Sequence, residues 1–335
     1  MATDLSHIHP ALREFFAVPR VVLAPMAGIT DPSFRSLCRE YGAELAFTEM
    51  VSAKALDFRN ARTEGMLELA PDETAVSVQL FGHEPDVLAR EAARVEQALG
   101  ERLFSININM GCPARKISSK GDGAALMKDP ALAAQIISAC KQAVSVPVTA
   151  KFRRGFAEHD ETCVEFAHAL EDAGADALCV HGRYAAQLYR GSAEWTCIAR
   201  VKDAVRVPVV GNGDITSGEA ARAMIEITGC DAVMVARAAE GHPWIFSEIR
   251  AALSPLRGED APVYTAPDVR ERMAVATRHA RALCALPEGG VRMRRLAMHY
   301  VAGLPGAREA RSKLCACTSA EEFEAVFLEV VEHAS

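Results

Sequence analysis

Short apolar runs recur along the chain at roughly 25–35 residue intervals, each followed by a polar or glycine-rich break and then a helical stretch. The runs are 21–24, 45–50, 75–81, 105–110, 147–152, 177–180, 207–210 and 232–235. Between them, Asp31-Pro32 opens a helix through Arg39 that Gly42 ends, and Val87, Leu88, Val95 and Leu99 mark the apolar face of a helix over 85–99. Helices are also expected over 130–144, 162–173 and 195–205, and Thr216 with Glu219 has capping-box spacing for another. Apolar runs with little alternation suit strands buried on both faces. Eight strand–helix units in succession close as a (β/α)8 TIM barrel. An open doubly wound sheet is the alternative, but nothing like GxGxxG follows the first strand. Residues 1–20 read as an irregular lead-in, 1–250 as the barrel, 251–267 as a Pro- and Gly-marked linker, and 268–335 as a C-terminal all-helical domain interrupted at Gly303-Leu304-Pro305-Gly306.

One break stands apart. Phe104, Ile106, Ile108 and Met110 alternate as a buried strand, and Gly111-Cys112-Pro113 follows. Pro113 drives Cys112 out of the helical region, so a thiol is held on a loop at a strand's C-terminal end. A barrel keeps its chemistry at that end. The long loop that follows, 111–129, has the length of a lid. The nine other cysteines are scattered, include no CxxC pair, and read as core residues of a protein from a reducing cytoplasm. Residues 1–10 lack the basic start and apolar core of a signal peptide, and no apolar run approaches the roughly 20 residues a membrane helix needs.

Other candidate residues gather at the strand ends. Gly213, Asp214, Ala236 and Arg237, after the seventh and eighth strands, form the usual place for a phosphate cradle in a barrel. Lys151 lies at the mouth of the fifth strand, His181 at that of the sixth and Gln79 at that of the third. Together they describe a site for a planar, phosphate-bearing cofactor with a cation near its ring and a thiol facing it.

These residues lie in segments that resemble the tRNA-dihydrouridine synthases, most closely their bacterial B-type branch. The segments are APMAGITDPSFR from Ala24, VQLFG from Val78, INMGCPARKI from Ile108, GAALM from Gly123, VTAKFRRG from Val148, VHGR from Val180, GNGDI from Gly211 and ARAAEGHPWIF from Ala236. The resemblance implies an FMN-binding barrel followed by a helical domain. It implies that Pro25, Met26 and Ala27 line the flavin, that Gln79 hydrogen-bonds the ring, and that Lys151 and His181 lie beside it. Asn212, Gly213, Asp214, Ala236 and Arg237 would hold the ribityl phosphate, and Asn109 and Cys112 would face the substrate uracil. The implied reaction reduces the uracil C5–C6 bond in tRNA, with hydride from reduced FMN, a proton from Cys112, and NADPH or NADH as reductant. A thiol is mostly protonated at neutral pH, which suits a general acid. The target base must leave its stack to reach the site. The chain departs from the family pattern at Ala236, where Gly is usual and a positive φ would strain alanine; at Asp122, a lid position usually small and uncharged; and at Leu296, where His is usual.

The formal net charge of −7 disfavours nucleic-acid binding unless cations are segregated. They are: residues 281–313 hold seven basic residues against two acidic ones. Arg292, Arg294 and Arg295 there are expected to contact tRNA, with Arg115, Lys116, Lys120, Arg153, Arg154 and Arg183 extending a basic path across the barrel mouth. A monomer with no protein partner and no metal is expected. Two rivals remain: a free-pyrimidine flavoenzyme such as a dihydroorotate dehydrogenase, which needs no basic helical domain, and a non-catalytic RNA-binding barrel, against which Cys112 and Lys151 both argue.

Overall fold

A computed structural model describes residues 9–260 and 262–334. Of the expected irregular lead-in, 1–20, residues 1–8 lie outside the described residues, and Pro10–Phe15 forms a short helix. Eight parallel strands form a closed barrel in sequence order: β1 Arg20–Leu23, β2 Leu45–Ser52, β3 Val76–Phe81, β4 Leu103–Met110, β5 Val148–Gly155, β6 Ala177–Tyr184, β7 Val209–Asn212 and β8 Ala232–Val235. The ring closes where β1 pairs with β8, with Val22 opposite Met234.

The central strands differ from the expectation of apolar residues on both faces. On β3 to β6, apolar residues alternate with Ser77 and Gln79, Ser105, Asn107 and Asn109, Thr149, Lys151 and Arg153, and His181 and Arg183. The polar set is joined strand to strand inside the barrel. Ser77 and Ser105 hydroxyls lie 2.5 Å apart, and Asn107 Nδ2 donates to Thr149 Oγ1 at 2.8 Å. The apolar set faces the outer helices, as Phe152 does against Phe166, with ring centroids 5.2 Å apart. Alternation usually marks a strand with one face in water; here the polar face is turned to the barrel axis and satisfied there.

β5 and β6 also run further than their apolar runs, so His181-Gly182-Arg183 lies within β6 rather than after it. The helix Gly218–Thr228 is capped by Ser217, whose side chain accepts the Ala220 N–H, so the Thr216–Glu219 capping box does not form. Asp31 caps the helix Pro32–Glu40 as expected, accepting from Ser33 and Phe34 N–H.

After β8 the helix Ile245–Leu253 completes the last unit, crossing residue 250, and Arg257 in the turn behind it pairs with Glu44 at 2.8 Å. The rest of the chain is helical: Val269–Cys284, Gly289–Tyr300, Ala307–Leu314 and Ala320–Ala334. Asp268 and Glu271 form a capping box at the first of these, worth about 1 kcal/mol. The four helices share a core that includes Met273, Leu283, Met293, Leu296, Leu314, Phe323 and Phe327. Leu296 is 1% exposed and part of this core.

The helical region is fastened to the barrel by specific contacts. His279 stacks on Phe34 at 5.4 Å, and Arg278 pairs with Glu40 at 2.9 Å. The helix Gly289–Tyr300 sits over the β1–β8 junction. Its Arg292 reaches Asp31 at 2.8 Å and Glu49 at 3.3 Å, while its Arg295 reaches Glu240, just after β8, at 3.1 Å. Gly241 allows this approach, since a Cβ there would lie 2.6 Å from His299 backbone. Among the described residues no helix is long and apolar enough to cross a membrane.

Candidate active site

The elbow at Cys112 is held from beneath by a chain of amides. Gln79 Nε2 donates to Asn107 Oδ1 and Asn109 Nδ2 donates to Gln79 Oε1, each at 2.7 Å. Asn109 Oδ1 then accepts the Gly111 and Cys112 N–H groups at 3.2 and 2.9 Å. Asn109 thus shapes the elbow itself. Cys112 is half-buried, while seven of the other cysteines are buried; Cys284 is half-buried and Cys315 exposed. Arg153, 3% exposed, donates to Gly111 O at 2.8 Å and also to Tyr184 O and Leu188 O, tying the elbow to the loop after β6.

Across the mouth, Lys151 Nζ donates to Asn212 Oδ1 at 2.9 Å, and Asn212 Nδ2 donates to Met234 O at 2.8 Å. Burial lowers the Lys151 ammonium from its ordinary range. His181 is pushed well below the usual imidazole range, first by burial and then by Lys151, Arg153, Arg183 and Arg237, so its ring is neutral at neutral pH. Gly213 has φ +119°, and a Cβ there would lie 2.8 Å from His181 Cδ2 and 2.6 Å from Ala193 Cβ. Only glycine fits that cradle. Asp214 Oδ2 accepts from Arg183 at 2.8 Å and from Ala193 N–H at 2.7 Å, and its other oxygen lies 3.7 Å from Arg237. Ala236 has φ −117°, so the alanine carries no positive-φ strain.

On the β1 side, Pro25 and Met26 are half-buried and Ala27 is exposed. Thr30 Oγ1 accepts the Met26 N–H at 3.0 Å, and Glu49 accepts the Gly28 N–H. The barrel end therefore gathers Pro25 to Ala27, Gln79, Asn109, Cys112, Lys151, His181, Asn212 to Asp214, Ala236 and Arg237 around one mouth. It does not gather the arginine trio there as a free group. Arg292 meets the mouth only through Asp31 and Glu49, Arg294 donates to Cys317 O at 2.7 Å, and Arg295 pairs with Glu240.

Three members of the expected basic path also have another task, Arg154 by pairing with Glu161. Arg153 and Arg183 are 3% and 2% exposed and hold backbone carbonyls, Arg183 those of Arg190 and Gly191. The signal for this was their spacing of two from Lys151 and His181, which puts them on the inward face of their strands. Sequence reasoning also missed Asn107, Thr149 and Glu49.

The mouth holds Lys151, Arg153, Arg183 and Arg237, with Asp214 as the carboxylate paired to two of them. The partner of Lys151 is a neutral amide oxygen. A cluster of this sign fits an anionic phosphate and an anionic ring edge, so the residues present fit FMN.

The chain matches the family described as Dihydrouridine synthase (Dus) over residues 22–335. It is similar to tRNA-dihydrouridine synthase B of Pseudomonas aeruginosa, 44% identical over 297 residues that span 88% of this chain and 87% of that protein. The B protein of Serratia marcescens is 45% identical over 230 residues, 69% of this chain and 68% of that one. Probable tRNA-dihydrouridine synthase 1 of Synechocystis sp. is 39% identical over 306 residues, 90% of this chain and 84% of that one. With a closed barrel, a thiol elbow at its mouth and a family match from β1 through the last helix, the chain belongs to the dihydrouridine synthase family.

Proposed function

We propose that the protein reduces the C5–C6 double bond of uridines in tRNA, with FMN as cofactor and NADPH or NADH as reductant. The observation that carries this reading is Cys112, set by Asn109 on an elbow at the mouth that also holds Lys151. Bound FMN supplies hydride transfer to the uracil ring. Lys151 and Gln79 serve the ring of the cofactor, with Pro25, Met26, Ala27 and neutral His181 lining it. Asn212, Gly213, Asp214, Ala236 and Arg237 hold its phosphate end. Asn109 faces the uracil, and the Cys112 thiol protonates C5 as negative charge builds across C5 and the C4 carbonyl. The base enters the mouth flipped from its stack.

tRNA lies across the mouth and the helical domain, which begins at residue 268. Arg115, Lys116, Lys120, Arg308 and Arg311 are exposed and available to phosphates. Arg295 offers its outer edge while its inner edge holds Glu240. Arg292 and Arg294 are bound internally, so their part in the path is the least direct. The protein acts as a cytoplasmic monomer. Purified protein should be yellow, be bleached anaerobically by NADPH, and form dihydrouridine in unmodified tRNA but not in free uracil; a colourless protein inert with added FMN would overturn the proposal, and reduction of free pyrimidine alone would favour the dihydroorotate-type rival.

A further inference from the structure

The return leg of the loop 111–129 is packed directly on the elbow. Ala124 N–H donates to Cys112 O at 3.0 Å. Gly123 approaches so closely that a Cβ there would lie 2.8 Å from Cys112 O and 3.1 Å from Cys112 Cβ. Cys112 is therefore held at both ends of its own backbone, by Asn109 at the N–H and by Ala124 at the carbonyl.

The return leg has an anchor of its own. Asp122, 9% exposed, places Oδ1 2.7 Å from His83 Nδ1. His83 lies two residues beyond β3, the strand that carries Gln79. Gly121, with φ +91°, lets the backbone lie along the His83 ring, where a Cβ would come within 3.6 Å of Cγ. A cleft of about 310 Å³ is lined by Ser52, Lys54, His83, Glu84, Lys120 and Asp122 among others. The hydrogen-bonded His83 and Asp122 are both part of its wall. Lys54 is engaged by Glu84 at 2.6 Å on the same rim.

We propose that His83 is a positioning residue for the proton donor, acting through Asp122 and the 122–124 segment on the Cys112 carbonyl. The same strand end then governs Cys112 by two routes, Gln79–Asn109 to its N–H and His83–Asp122 to its C=O. The charge at residue 122, which departs from the family pattern, has its partner in His83. The role of Cys112 as proton donor rests on the proposed function; the mechanical coupling from His83 to Cys112 does not.

The test measures Cys112 alkylation by iodoacetamide in the flavin-loaded enzyme without tRNA, followed on the Cys112 peptide, alongside tRNA and flavin reduction. His83→Ala should raise the alkylation rate several-fold. It should lower kcat for tRNA about tenfold with little change in KM, as a modest misplacement of a reacting group does, and leave flavin reduction by NADPH unchanged. His83→Asn, whose amide N–H can donate where Nδ1–H does, should restore both values. Asp122→Ser should match His83→Ala, and decides the matter by itself if His83→Ala folds poorly; the double variant should be no worse than either. Wild-type alkylation and kcat in His83→Ala, additive effects in the double variant, or a rise in tRNA KM alone would overturn the proposal. A wild-type enzyme inactive on tRNA but showing the alkylation pattern would refute the proposed function and leave the positioning role standing.

Discussion

Arg292→Ala separates two roles for the helical region, a phosphate contact or a clamp on the barrel. Arg292 Nη2 is 2.8 Å from Asp31 and 3.3 Å from Glu49, with side-chain exposures of 25%, 3% and 17% respectively. Breaking a fully buried pair costs about 3–5 kcal/mol, whereas an exposed pair is worth about 0–1 kcal/mol. Both carboxylates keep other donors when the guanidinium is removed: Asp31 has the Ser33 and Phe34 N–H groups, and Glu49 has the Gly28 N–H. An intermediate loss of about 2 kcal/mol is therefore expected. At an unfolding entropy of about 2.1 cal/mol/K per residue, a chain of this length should melt about 3 °C lower. The companion assay is tRNA binding as a function of salt. A lost phosphate contact flattens the slope of log affinity against log salt by about 0.7–0.9, whereas a lost clamp leaves it unchanged. A lower melting temperature with an unaltered slope is expected, with only partial recovery in Arg292→Lys, because an ammonium does not reproduce the guanidinium's planar donors. An unchanged melting temperature with a flattened slope would refute the clamp.

Cys112→Ala should retain flavin and its bleaching by NADPH while tRNA reduction falls about 10²–10⁴-fold, as measured by dihydrouridine formation; near-normal product would remove the thiol from proton transfer. Arg237→Ala should release flavin, read by fluorescence of the filtrate, while Lys151→Ala should slow flavin reduction more than it weakens binding; equal small effects on both would dissolve the assignment. His279, buried with no partner at Nε2 among the described residues, has its imidazole pushed down to about 4 by burial. The unfolded chain takes up that proton first, so stability is lost as pH falls from about 6.5 to about 4. In His279→Phe, which keeps the stack on Phe34, denaturant titrations should show that loss reduced by up to about 3 kcal/mol across this window; an identical pH slope would mean the ring does not stay neutral.

The barrel was legible because each strand keeps a continuous apolar face toward its helices, as Val78 and Leu80 or Ile106 and Ile108 do. Its inner face was less so, since polar residues satisfied across the axis resemble those meant for water. Gln79 and Cys112 were found from their place at strand ends and Asn109 through the family resemblance, but not the Gln79–Asn109–Cys112 relay, which depends on register between β3 and β4. Basic clustering located the helix Gly289–Tyr300 without its partners. Arg292 and Asp31 lie 261 positions apart, and composition records a charge without recording what neutralises it. His83 and Asp122, 39 apart on different loops, were hidden for the same reason.

The helix laid over the β1–β8 junction also sets an order of events during synthesis. All eight strands have been made once Val235 is joined, but Arg292 and Arg295 come some sixty residues later. At translation rates of about 5–20 residues per second, the ring waits roughly 3 to 12 s for them. During that interval Asp31, Glu49 and Glu240 lack the guanidiniums they pair with in the folded chain. A chain stalled between the last strand and this helix therefore carries the full set of barrel strands without the two guanidiniums that fasten the helix across them.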